Sequence, residues 1–273
     1  MTTRFADLNG HRLRYRLRGE GPLAVFGHGL MGSIEQVDAD AALLERLERK
    51  LRLLLYDARG HGESTGPEHP DLYTWETLGQ DMAAWLEHTG DEHGIFGGAS
   101  MGAASALWVA LERPEAVRAL VLVMPPPLGP DTVREPAERQ AVQVLEVLAT
   151  AIETFGLEKT VEFARQYPGF AATPEDADER ARWLAAQNPQ YLVHVIRGLM
   201  RAGIHDPSAY RRLTVPTLVL AHEGDSLHPV RAAKLVKEMA PHAVLRVAPD
   251  PGYWRNHPEE FVAEIESFLS DAI

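Results

Sequence analysis

The chain has 273 residues, 45% of them apolar, enough for one large domain or a domain carrying an insertion. Its 27 Lys and Arg against 39 Asp and Glu give a net charge of −12, which argues against nucleic acid or an anionic membrane surface as partner. It has no cysteine, so disulfides, thiolate metal sites, Fe–S clusters and a cysteine nucleophile are excluded.

The opening "MTTRFADLNG" has no basic stretch leading into an apolar run, and no apolar segment is long enough to span a bilayer. The expectation is a cytoplasmic protein, monomer or homodimer, acting on a small molecule. Residues 2–18 read as a hairpin turning at Asn9–Gly10, with strict alternation in "HRLRYRLR". "PLAVFGHG" is a buried strand entering a glycine loop. Residues 36–49 read as a helix with Val37, Leu43, Leu44 and Leu47 on one side. "LRLLLYD" is a strand, and "WETLGQDMAAWLEHTG" an amphipathic helix ended by glycine. "HGIFGGAS" and "VRALVLVMPPP" are strands on either side of the helix "MGAASALWVALER".

The strands are apolar throughout, as in a mostly parallel twisted sheet covered by helices on both faces. Strand–helix alternation then stops. Residues 135–167, 175–187 and 189–203 all read as helices. It resumes with "PTLVLAHEGD", a helix over 230–240, "AVLRVAPD" and a helix over 258–271. The expected organisation is an α/β core formed by 1–124 and 208–273, with a helical cap inserted at 125–207. Such an insertion commonly lids a site at the carboxyl ends of the strands.

The strongest motif is Gly98-Ala99-Ser100-Met101-Gly102, a G-x-S-x-G between an apolar strand and a helix. Small residues permit a sharp turn that exposes the Ser100 hydroxyl at a helix N-terminus, where developing negative charge is favoured. The bland alternative is a glycine-rich turn with a helix-capping serine. A serine nucleophile needs oxyanion donors. The backbone N–H groups of Met101 and of Leu30, in "FGHGLMGS", are the candidates. His28 reads as a structural histidine beside Gly29, both flanking the expected pocket.

"HGLMGS", "YDARGHGES", "GASMG" and "HEGDSLHP" occur in the order and spacing of the α/β-hydrolase fold, and the chain resembles that superfamily over nearly its whole length. The style is that of esterases, enol-lactonases and C–C bond hydrolases. The resemblance implies an acyl-transferring serine enzyme needing no metal or organic cofactor. It makes Asp57, Arg59, His61 and Ser64 loop-anchoring residues. It places the orienting acid after the seventh strand, where Asp225 fits and Glu223 comes too early. It treats His228 as a surface or supporting residue.

The resemblance also puts a catalytic histidine after the last strand. There the chain reads "DPGYWRNHP", with Tyr253 at the usual histidine position, Trp254 beside the expected pocket, and His257 as the candidate base. A phenol is a poor base near pH 7. His11, His88, His93, His194 and His205 fit no hydrolase pattern. Two readings stay open besides the hydrolase. One is a member repurposed for cyclase, lyase, dehydratase or isomerase chemistry through Tyr253, and the other is a non-catalytic receptor. The apolar cap residues Leu145, Leu148, Phe155, Phe163, Phe170, Trp183, Leu192 and Met200 stand at helical spacing and read mostly as core between the cap and the main domain, with some lining an apolar pocket for a largely apolar substrate. Arg197 or Arg201 is the candidate contact for an anionic one.

Overall fold

The computed structural model describes residues 3–37, 41–126, 135–166, 174–202 and 207–272. The N-terminal hairpin pairs β1 (Arg4–Leu8) with β2 (His11–Arg18). Its turn residues have φ of +50° at Asn9 and +80° at Gly10. That is the type I′ geometry, whose twist matches the strands it joins. After these come β3 (Leu23–Gly27), β4 (Arg52–Tyr56), β5 (Gly94–Ala99), β6 (Val117–Val123), β7 (Thr217–His222) and β8 (Val244–Ala248). They form one sheet in the order β1-β2-β4-β3-β5-β6-β7-β8, with β3 to β8 parallel and β1 and β2 antiparallel.

The helices are α1 (Ile34–Val37), α2 (Ala41–Glu48), α3 (Trp75–Thr89), α4 (Met101–Glu112), α5 (Pro136–Phe155), α6 (Leu157–Gln166), α7 (Pro174–Ala185), α8 (Pro189–Arg201), α9 (Val230–Met239), α10 (Tyr253–Asn256) and α11 (Pro258–Ala272). Where one helix was expected over 36–49, two short ones appear. The helix expected over 135–167 breaks at Gly156, whose φ of +80° and ψ of 162° lie outside the helical region. α5 to α8 intervene between β6 and β7, as the pattern of periods implied. No described helix is long and apolar enough to cross a membrane.

Two apolar layers cover the sheet. One packs α3, α4 and α9 against it around Trp85, Phe96 and Leu107. The other packs α2 and α11 around Ile95, Leu218 and Ile265. A third cluster (Ala149, Ile152, Leu184, Leu192, Val193 and Ile196) holds the inserted helices together, with Leu30 and Met31 against it. Phe155 and Phe163, expected in that core, instead lie on the surface, about half exposed and edge to face at 6.0 Å. Phe170 and His205 lie outside the described residues.

The topology fixes where a site can form. β3 has β4 on one side and β5 on the other, so the loops leaving β3 and β5 diverge and open a crevice at their carboxyl ends. Three glycines let the two loops meet there. Gly27 faces Gly98 across the β3–β5 pair, and a Cβ on Gly102 would overlap the Gly27 backbone. Gly102 N–H donates to the His28 carbonyl at 3.0 Å. Gly102→Ala is expected to cost about 1–3 kcal/mol of stability by forcing α4 off β3. Thermal unfolding of the purified variant measures it, and an unchanged Tm would contradict the close packing.

Candidate active site

Ser100 sits between β5 and α4 with φ +50° and ψ −108°. A left-handed φ on a residue with a side chain is strained, and such strain persists only where surrounding contacts fix it. Here the Ser100 N–H donates to the Val123 carbonyl of β6 at 2.9 Å. Ser100 is the N-cap residue of α4, yet its hydroxyl makes no capping bond. The hydroxyl meets His228 Nε2 at 2.7 Å. That removes the capping-serine reading.

His228 and Asp225 share the loop after β7. One Asp225 oxygen, Oδ1, accepts the N–H groups of Leu227 at 2.7 Å and His228 at 3.0 Å. These bonds turn the loop back on itself in the Asx manner. The turn carries the His228 ring over the other oxygen, so that Nδ1–H donates to Oδ2 at 2.8 Å. With Nδ1 carrying the proton, Nε2 has the lone pair that faces the Ser100 hydroxyl. Burial alone would raise the Asp225 carboxyl, but the His228 side chain and the two loop N–H groups outweigh it and hold the group well below the usual carboxylate range. Asp225 therefore stays ionised in the folded protein at any pH where the protein is ordinarily handled.

Neither His257 nor Tyr253 is part of this chain of bonds, which corrects the expectation for both. The Tyr253 hydroxyl donates to Glu260 at 2.7 Å, and its ring lies 4.3 Å from that of His257. His257 caps the end of α10, is about half exposed, and points Nδ1 toward Glu260 at 3.6 Å. The one-turn helix α10 follows β8 after the turn at 249–252 and leads through His257 into α11. Trp254 is corrected with them. Its indole N–H donates to the Ala221 carbonyl at 3.1 Å and its ring packs near Phe261.

His28 does not line a pocket either. It is buried, accepts the Ala58 N–H on Nε2 at 3.0 Å, and contacts the Gly29 carbonyl through Nδ1 at 2.7 Å. Burial lowers the pKa of His28, and burial with the neighbouring His28 lowers His61 to about 3. Both rings are neutral in the fold, 5.0 Å apart, while the unfolded chain protonates them below about pH 6.5. Stability is therefore expected to fall as pH drops from about 6.5 towards 3, because the unfolded state binds the extra protons. Tm measured across that range tests this, and a His61→Gln variant should show a shallower fall.

Gly29 lies against Ser100, and a Cβ there would come within 3.6 Å of the serine Cβ. The loop after β3 makes a turn closed by the Gly32 N–H on the Gly29 carbonyl at 2.9 Å. Among the described residues, the N–H groups of Leu30 and Met101 have no hydrogen-bond partner. His222 was not singled out by sequence. It is buried, with Nε2 3.0 Å from Met124 Sδ and 3.8 Å from Asp225 Oδ2. Around the site, Asp57 accepts the Ile34 and Glu63 N–H groups at 2.8 and 2.9 Å, and Ser64 donates to the Asp57 carbonyl at 2.7 Å. The pattern "YDARGHGES" thus has a structural cause: it ties down the loop after β4 beneath the crevice.

A family profile for the alpha/beta hydrolase fold matches residues 22–255. The chain is 28% identical to an sn-1-specific diacylglycerol lipase of Mus musculus over 97% of its own length and 87% of the relative's. It is 25% identical to the 3-oxoadipate enol-lactonase 2 of Acinetobacter baylyi, covering 86% of this chain and 84% of that one. Among solved structures, a hydrolase from Pseudomonas aeruginosa superimposes with a TM-score of 0.79 at 25% identity over 98% of both chains. With the sheet order, the strained serine turn and the crevice above β3 and β5 in place, the chain belongs to the α/β-hydrolase fold family.

Proposed function

We propose that the protein is a serine hydrolase that cleaves an ester, lactone or related acyl bond through an acyl-enzyme on Ser100. The observation that carries this is the unbroken run Asp225–His228–Ser100, with contacts of 2.8 and 2.7 Å. His228 takes the Ser100 proton as the oxygen attacks the acyl carbon, then returns it to the leaving group. Asp225 holds the ring and stabilises the imidazolium that forms. The unpartnered Leu30 and Met101 N–H groups receive the oxyanion. Water, deprotonated by the same histidine, then releases the acid product.

The substrate that fits best is small and largely apolar. Leu30, Met31, Leu145 and Leu148 pack around the cluster of the inserted helices. The two arginines considered for an anionic substrate are engaged elsewhere, Arg197 with Glu146 and Glu153, and Arg201 with Asp71. The reading through Tyr253 loses its support, since that hydroxyl is on Glu260. Intact mass after treatment with a fluorophosphonate tests the proposal. One adduct is expected on the wild type and none on Ser100→Ala. A wild type that neither forms the adduct nor hydrolyses nitrophenyl esters of short to medium chain would refute it.

A further inference from the structure

Gln187 stands where α7 gives way to α8, and it is buried. Its Nε2 donates to the Met31 carbonyl at 2.9 Å, 156 positions away in sequence, and to the Trp183 carbonyl at 3.0 Å. Met31 is the third residue of the turn from Gly29 to Gly32, and its φ is +61°. That turn position with positive φ is one that glycine or asparagine ordinarily occupies. A methionine there is strained and needs an outside hold.

The inner side of the turn is fixed to the core. The His28 ring is tied to Ala58 and Gly29, and the His28 carbonyl accepts the Gly102 N–H. The outer side meets the inserted helices, through the apolar contacts of Leu30 and Met31 and through Gln187. Leu30, which carries one of the two unpartnered N–H groups, lies between these two anchors.

We propose that Gln187 is a positioning residue that latches the strained Gly29–Gly32 turn, so that docking of the inserted helices and assembly of the oxyanion hole are one event. The inference rests on the serine-hydrolase reading for its effect on turnover. Gln187 does not touch the reacting atoms. It holds the Met31 carbonyl, and so keeps φ at Met31 positive. Released, the turn relieves Met31 by returning to negative φ, and the adjoining Leu30 N–H leaves its aim. An oxyanion donor out of place costs turnover more than ground-state binding, because its bond strengthens as negative charge develops.

The test compares wild type, Gln187→Ala and Gln187→Met, the last of which keeps most of the packing volume. Amide hydrogen exchange at Gly32 and kinetics on a nitrophenyl ester are read together. Both variants are expected to exchange the Gly32 amide about tenfold faster or more. They should also lose about tenfold in kcat with KM within about twofold, the signature of a transition-state interaction. Adding Met31→Gly to Gln187→Ala should recover most of the lost kcat, because glycine holds positive φ without a latch. Unchanged exchange at Gly32 in both variants overturns the proposal. So does a kcat that stays at the wild-type value, or a loss that Met31→Gly fails to recover. Turnover that survives Ser100→Ala would instead sink the hydrolase reading, and Gly32 exchange would still decide whether Gln187 latches the turn.

Discussion

His228→Ala is expected to lower kcat for ester hydrolysis by about 10⁴- to 10⁶-fold, as Ser100→Ala does, while His257→Ala and Tyr253→Phe stay within about twofold of wild type. The reason is the direction of proton flow. Among the described residues, the side-chain nitrogen bonded to the Ser100 hydroxyl is His228 Nε2 at 2.7 Å, which makes it the proposed acceptor of the serine proton. His257 and Tyr253 spend their polar atoms on Glu260. Removing them changes the surface of α10 and leaves the serine's surroundings alone. Asp225→Asn should fall between, with a loss of about 10⁴-fold, because an amide permits the wrong histidine tautomer. It would also disturb the loop, since Oδ1 accepts two backbone N–H groups. Stopped-flow bursts with a nitrophenyl ester separate acylation from later steps. A His228→Ala enzyme that retained more than about a tenth of wild-type acylation would refute the assignment. So would a His257→Ala enzyme that lost activity to the same degree as Ser100→Ala.

The largest stability effect is expected away from that chemistry, at Arg59 and Asp81. Arg59 donates to both Asp81 oxygens at 2.6 Å, and the side chains are only 5% and 1% exposed. Arg59 also donates to the carbonyls of Leu72 and Thr77, and Asp81 accepts from the Asn9 side chain at 2.9 Å. One pair thus joins the hairpin turn, the loop after β4 and α3. Asp81→Asn leaves the guanidinium charge buried without its partner and is expected to cost about 3–5 kcal/mol. At about 2 °C per kcal/mol, the rough scale for a large domain, Tm should drop by about 6–10 °C. Replacing both residues, as Arg59→Met with Asp81→Leu, should cost less than Asp81→Asn alone, because no unpaired charge remains. A double-mutant cycle by chemical denaturation checks this. Single variants that each cost under about 1 kcal/mol would mean that the pair is solvated and weak. The folded fraction of Asp81→Asn should keep kcat within a few-fold, since neither residue contacts Ser100, His228 or Asp225.

The sequence determined the parts whose causes are local. Asn9–Gly10 required a turn with two positive φ values, and the hairpin formed there. The continuous apolar runs had to be covered on both faces, so they became parallel strands between helices. Small residues on both sides of Ser100 were legible as a sharp strand-to-helix turn, because only a position lacking bulk lets α4 approach β3 so closely. Asp225 was singled out through the resemblance, which places the orienting acid after the seventh strand.

The base we propose was decided by tertiary structure alone. In sequence, His228 is a polar residue in a polar loop, three positions after an aspartate, and nothing distinguishes it from a solvated histidine. What selects it is a loop fold, in which Asp225 shapes the turn with one oxygen and catches the imidazole with the other. Its distance to Ser100 spans 128 positions of chain and exists only because β5, β6 and β7 are neighbours in the sheet. The same holds for Gln187 on Met31. Motif spacing records which residues share a loop. Only the packing of the sheet and the inserted helices decides which side chains from different loops meet, and here it brings His228, held by Asp225 of its own loop, onto Ser100.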